Sequence, residues 1–259
     1  MKNKFLQATF ILMIGGLITK LLGFSIRIIY TRMVGSDAIN LYSLVMPTYS
    51  LLLTIATLSL PVVISKLISE QKTKSIKIIS SATIITLILN SIVIILIYFT
   101  KDFIAGTLLN DKRASVLLMS MALTFPFVSI SSILKGYFYG KQKMIPHTIS
   151  NIIEQIVRVI LIFLIIPTLV NKGIVYSVMG LILISIASEL ASILTFLFFL
   201  PKKFKITKND LKPDRKTAKE ILSISVPTVS GRLIGNIGFF FEPILLTNIL
   251  LFAGYSMDF

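Results

Sequence analysis

The chain contains no cysteine and no tryptophan, and its single histidine is His147. Disulfides, thiolate catalysis and Cys-ligated zinc are therefore excluded, and so is a metal centre built from clustered histidines. Charge is also scarce. Asp, Glu, Lys and Arg make up 14% of the 259 residues, while apolar and aromatic residues supply 55%. A soluble domain carries about 25% charged residues, so an ordinary water-soluble enzyme is excluded. A mean hydropathy of +0.90 points to a protein that uses the bilayer as solvent. Acidic residues are the scarcest: 11 against 26 Lys and Arg, a net charge of +15. The basic residues sit between hydrophobic runs. They read as lysines set against anionic headgroups, each worth about 1 kcal/mol, and no nucleic-acid partner is expected.

Seven runs are long enough to cross the hydrocarbon core: residues 5–34, 41–66, 76–99, 115–139, 148–170, 174–200 and 219–251. Their length and lack of period-2 alternation predict helices, not barrel strands. The first run is too long for a secretory signal and carries Lys20 and Arg27 internally. With the N-terminus placed in the cytoplasm, 17 basic residues fall on the inner side and 5 on the outer. The positive-inside bias thus predicts a multi-pass protein of the cytoplasmic membrane with a cytoplasmic N-terminus. Residues 201–217 form the one long polar linker. Lys20-Leu21-Leu22-Gly23 in the first run is echoed by Arg232-Leu233-Ile234-Gly235 in the seventh. That offset equals six spans plus the linker, the arrangement of a repeated transporter lobe. The expected organisation is a six-helix lobe (1–200), a cytoplasmic basic linker (201–217) and the first helix of a truncated second lobe (218–259), with the remainder of that C-terminal lobe missing.

Polar residues inside apolar helices need a reason to be there. Ser43, Pro47, Ser50, Thr54, Thr57, Pro61 and Ser65 recur at helical spacing and predict one continuous face. Close helix packing explains such a stripe, and so does the wall of a watery cavity. Gly16, Lys20, Gly23 and Arg27 place two cations and two glycines on one face of the first span. A mid-membrane charge costs about 2.5–3.5 kcal/mol on insertion scales, so Lys20 and Arg27 are expected to face a cavity. Asn151, Glu154, Gln155 and Arg158 share a face of the fifth span, and Glu154 and Arg158 stand at i,i+4 in the favourable order. Glu189 and Glu242 have no local partner. Each is either a proton or sodium site or the distant partner of Arg158 or Arg232. Gly136 with Gly140, and Gly231 with Gly235, stand at helix-packing spacing.

Two long stretches, RMVGSDAINLYSLVMPTYSLLLTIATLSLPVVISKLISE from Arg32 to Glu70 and KGYFYGKQKMIPHTISNIIEQIVRV from Lys135 to Val159, resemble the stage V sporulation protein B family. TKLLGF at 19–24 and the closing AGYSMDF fit the same resemblance. That family belongs to the multidrug/oligosaccharidyl-lipid/polysaccharide (MOP) exporter superfamily, with the lipid II flippases. The resemblance implies an all-α polytopic membrane fold of MATE type: two six-helix lobes about a central cavity, 12–14 helices in all, working by alternating access. It also implies a lipid-linked saccharide as substrate, a peptidoglycan precursor for the spore cortex or cell envelope. First-span basic residues of lipid II flippases map onto Lys20 and Arg27, although the flippase arginine falls one residue earlier, where this chain has Ile26.

The expected function is a flippase or exporter for an anionic lipid-linked saccharide, with Lys20, Arg27, Ser50, Thr54, Glu154, Arg158 and Arg232 lining the substrate cavity. Glu189 and Glu242 are the candidates for coupling to H+ or Na+; the membrane potential is the other candidate drive. No organic cofactor is expected, and no nucleophile–base constellation or phosphate loop suggests an enzyme. The competing expectation is a multidrug or cation antiporter of the same superfamily, which needs an acid that the first span lacks. The orientation is testable in this cysteine-free background. Lys74→Cys and Lys208→Cys should be shielded from impermeant thiol reagents in intact cells, and Asp111→Cys and Lys172→Cys should label. The opposite pattern reverses the topology.

Overall fold

The computed structural model describes residues 2–71, 73–201 and 214–252; most of the predicted basic linker and the closing AGYSMDF lie outside them. Among the described residues nine α-helices follow one another: α1 (Lys2–Val34), α2 (Ser36–Thr57), α3 (Leu60–Ser69), α4 (Ser75–Phe103), α5 (Ala114–Ala122), α6 (Phe125–Gly140), α7 (Met144–Val170), α8 (Ile174–Phe198) and α9 (Arg215–Phe252). A π-helical turn, Ile104–Leu108, extends α4. Among the described residues these make seven stretches long and apolar enough to cross a membrane. The chain is an all-α, multi-pass membrane protein, with span boundaries close to those expected.

Two spans are built from pairs of helices, which hydrophobic run length does not reveal. The second breaks between α2 and α3, where Leu58 and Ser59 both take left-handed φ, 48° and 52°. Pro61 explains the position. It has no N–H to donate to Thr57, and its ring would clash with that carbonyl, so the helix restarts with Pro61 in its first turn. The fourth span breaks at Leu123–Thr124 ahead of Pro126, and the Thr124 hydroxyl donates to the carbonyl of Met121 at 2.7 Å. The expected continuous stripe from Ser43 to Ser65 is therefore interrupted: Ser65 belongs to a different helix from Ser43, Ser50 and Thr54.

The surface, not the core, differs from that of a soluble protein. Large apolar side chains such as Leu17, Ile92, Phe99, Leu164 and Leu194 point outward, where lipid replaces water. The interior is largely apolar too, with Phe125, Phe138 and Phe196 fully buried, and hydroxyls and an amide are set among these side chains. Asn90 donates to the hydroxyl of Ser129 at 2.9 Å, and Ser129 donates to the carbonyl of Ala56 at 3.2 Å, tying α4, α6 and α2 together. Ser150 and Ser192 join α7 to α8 at 2.6 Å. Of the four glycines singled out by spacing, Gly136 and Gly140 let α6 lie against α3. A Cβ on either would come within 2.8 Å of Ile64 or Ile68, whereas Gly231 and Gly235 face open space. At the head of α9, Thr217 donates to the carboxylate of Asp214 at 2.8 Å, and this bond, the largest influence on Asp214, holds its pKa below the ordinary value.

The outermost helices set the site. α1 packs chiefly against α7, and α9 lies along α2. The wall of the bundle between them is left to α2, α7 and α8.

Candidate functional site

A cavity of about 540 Å³ opens between α1, α2, α7, α8 and α9. Arg27 reaches it from α1, one helical turn beyond Gly23, whose missing side chain leaves room on the same wall. Tyr42 and Met46 contribute from α2, Ser185 from α8, and Glu242 from α9 beside Pro243. Arg158 enters from α7. It lies 14 residues from the start of that helix and 12 from its end, or about 21 and 18 Å at the helical rise of about 1.5 Å per residue. The cavity thus holds two guanidinium groups, that of Arg158 near the middle of its span, and one carboxylate.

Arg158 does not stand alone. Its Nη2 donates to Glu154 Oε1 at 2.8 Å, and the two side chains are 23% and 11% exposed. The pair is the i,i+4 arrangement read from the sequence. Its placement is new information: Glu154 turns into the protein while Arg158 stays at the cavity wall, and Arg158 Nε is buried with no partner in the described structure. Glu189, 6% exposed, lies behind the pair on α8, within electrostatic reach of Glu154, Arg158 and Lys135. Lys135 is half-buried on α6 and was counted among the basic flanks, not among the site residues. Its position five residues before the end of α6 was the available signal. The phenols of Tyr42 and Tyr49 also feel the Arg158 charge, although no sequence pattern singled them out.

The remaining candidates divide. Ser50 and Thr54 meet α9: Asn236 Nδ2 donates to Thr54 Oγ1 at 2.6 Å, and Ser50 Oγ donates to Asn236 Oδ1 at 3.5 Å. These three residues clasp the seventh span to the second. Lys20 and Arg232 are exposed and lie away from the cavity lining. Glu242 is exposed at the cavity mouth. His147 accepts or donates through Nε2 to Tyr139 at 2.8 Å and to Asn151 at 3.1 Å, which accounts for it as part of an α6–α7 junction.

The polysaccharide biosynthesis protein family model matches residues 5–251. The chain belongs to that family. Stage V sporulation protein B of Bacillus subtilis is 39% identical over 98% of this chain and 51% of its own length. The lipid II flippase MurJ of the same organism is 30% identical over 69% of this chain and 36% of its own length. The chain spans about half the length of the first of these relatives. Solved MATE structures share the fold: MATE in complex with MaD3S superposes with a TM-score of 0.72 at 17% identity, covering 93% of this chain and 55% of that one. A MOP superfamily transporter from Pyrococcus furiosus gives 0.71 at 18% identity, with 93% and 54% covered. The MOP/MATE-like architecture read from sequence is therefore that of the molecule.

The Glu154–Arg158 pair makes a prediction about stability. Glu154→Leu strands a guanidinium and should destabilise this family member by about 3 kcal/mol, the lower end for a broken buried pair. The double variant Glu154→Leu/Arg158→Met should recover most of that loss. Denaturation in detergent measures both, and a single variant as stable as the parent would show that the pair is not a structural element.

Proposed function

We propose that this chain forms the N-terminal part of a flippase that moves an anionic lipid-linked saccharide across the cytoplasmic membrane by alternating access. The observation that carries the reading is the convergence of Arg27 and Arg158 in one cavity inside a membrane bundle. With Glu242 the cavity has a net charge of +1, and Glu154 offsets Arg158 only from behind. A pyrophosphate presents several oxygens to such forks, and a guanidinium binds them in pairs. Family membership and the names of the two Bacillus subtilis relatives support the same class of substrate, a peptidoglycan-type precursor for the spore cortex or cell envelope. A multidrug or cation antiporter would use the cavity carboxylate Glu242. The excess of guanidinium over carboxylate favours the anion.

In this proposal residues 1–200 are one lobe, 201–217 a basic linker on the cytoplasmic side, and 218–259 the first helix of a second lobe. Lys20 and Arg232, at equivalent places in the repeat, face the space between lobes and extend the cationic surface along the substrate path. Ser50 and Thr54 hold α9 in place beside that path. Glu189 and Glu242 are the groups through which an H+ or Na+ gradient would act, with the membrane potential acting directly on the charged headgroup.

Charge, not volume, should matter at the two cations of α1. In nanodiscs, Arg27→Met should weaken binding of a polyprenyl pyrophosphate by about 10- to 100-fold, the worth of one hydrogen bond to a charged group. Arg27→Lys should be intermediate, because a point charge replaces a fork. Lys20→Met should abolish transport where Lys20→Arg retains it, and a phosphate-free glycolipid should be indifferent to all four changes. Unchanged pyrophosphate binding by Arg27→Met would overturn the anionic-substrate reading.

A further inference from the structure

A second cavity, of about 480 Å³, adjoins the first at the end of the bundle that carries the turn between α4 and α5. The two share Ser43, Pro243 and Leu246, so they adjoin along one wall. The chemistry differs between them. The first cavity has an excess of guanidinium. Besides Ser43, the polar groups of the second are Asp37, Asn40, Asn110, Asp111, Lys112 and Arg113, two carboxylates and two cations with two amides.

Asp111 and Arg113 are held, not loosely displayed. The π-helical turn leads into Asn110, which takes left-handed φ of 54°, and the N–H of Asp111 then donates to the carbonyl of Ala105 at 2.9 Å. Arg113 grips Asp111 as a fork, Nε to Oδ1 at 3.0 Å and Nη2 to Oδ2 at 2.7 Å, while its own N–H donates to Oδ1 at 2.9 Å. Asp37, in the first turn of α2, is within electrostatic reach of the same guanidinium. Burial works against the Asp111 carboxylate, but the bonds from Arg113 prevail and hold its pKa below the ordinary value. Within the cluster, Asp111 and Arg113 offset each other's charge.

A balanced set of this kind does not concentrate phosphate. It offers fixed acceptors and donors for uncharged hydroxyl and amide groups, against an apolar wall supplied by Leu41, Leu44 and Pro243. Aligned acceptors, donors and an apolar face are what a pyranose ring, with its hydroxyl edge and C–H face, requires. The volume lies within the range of about 300–1,000 Å³ of small-ligand sites. We infer that this second cavity is a saccharide subsite, which holds the sugar of the lipid-linked substrate while Arg27 and Arg158 hold its phosphates. The inference rests on the anionic lipid-linked substrate proposed above and adds to it the part of the molecule that recognises the sugar. Asn40 and Asp37 are the specificity residues. Both are exposed on α2 and contribute nothing to the core.

Two probes separate the subsite from the reading beneath it: a polyprenyl pyrophosphate, and the same lipid bearing a disaccharide. They are measured against the protein that carries this chain, in nanodiscs. The sugar should strengthen binding about tenfold or more, the worth of one or two hydrogen bonds to charged groups. Asp37→Asn/Asn40→Ala should erase that gain and leave binding of the sugar-free lipid unchanged. Equal affinity for the two probes, or a sugar gain that survives the double substitution, would overturn the saccharide subsite while the anionic-lipid reading stands. Failure of both lipids to bind would overturn both.

Discussion

An arginine carried to mid-membrane depth by a helix must meet either a carboxylate or a wet cavity, because lipid hydrates neither it nor its partner. Arg158 meets both. One edge of its guanidinium holds Glu154 at 2.8 Å and another faces the cavity. That double duty fixes the rotation of α7, since Glu154 and Arg158 stand one turn apart on a single face of the helix. α8 then brings Glu189 against the same charges, and α6 brings Lys135. The charges inside the bundle are thus gathered around one ion pair, while the apolar exterior is left to lipid.

The cavity exists because helices approach closely in some places and are broken in others. Gly136 and Gly140 draw α6 onto α3, and Ser150 with Ser192 draw α7 onto α8, which consolidates one side of the bundle. Pro61 and Pro126 interrupt the second and fourth spans and redirect them. At the cavity, Gly23 and Pro47 line the space instead of filling it, and the Asn236 clasp to Ser50 and Thr54 sets α9 alongside α2. A glycine and a proline in the wall next to the cations are how an apolar bundle makes room for a polar headgroup.

The spans were legible because crossing a bilayer imposes length and apolarity on the sequence itself, and the Glu154–Arg158 pair was legible because both partners lie on one helix. What depended on contacts between helices was not. The stripe through Ser50 and Thr54 has the same spacing whether it faces water or another helix, and only the position of Asn236, 182 residues from Thr54, distinguishes the two. The break at Leu58–Ser59 had a local cause in Pro61, but proline inside a membrane helix does not always break it: Pro47 and Pro167 sit within continuous helices. Lys135 resembled the basic flank of a span, and only the arrival of Glu189 from α8 makes it part of a charge cluster.

The central claim is that the cavity beside Arg27 and Arg158 receives an anionic lipid headgroup. A photoreactive side chain at Met46, on the cavity wall, tests it directly when compared with one at Ile88, on the lipid-facing side of α4. With a polyprenyl pyrophosphate-linked saccharide present at trace level among bulk phospholipids, position 46 should crosslink chiefly to the saccharide-bearing lipid. Position 88 should crosslink to lipids in proportion to their abundance. Equal selectivity at the two positions would contradict the account, because it would mean that the cavity is no more than another surface in contact with the bilayer.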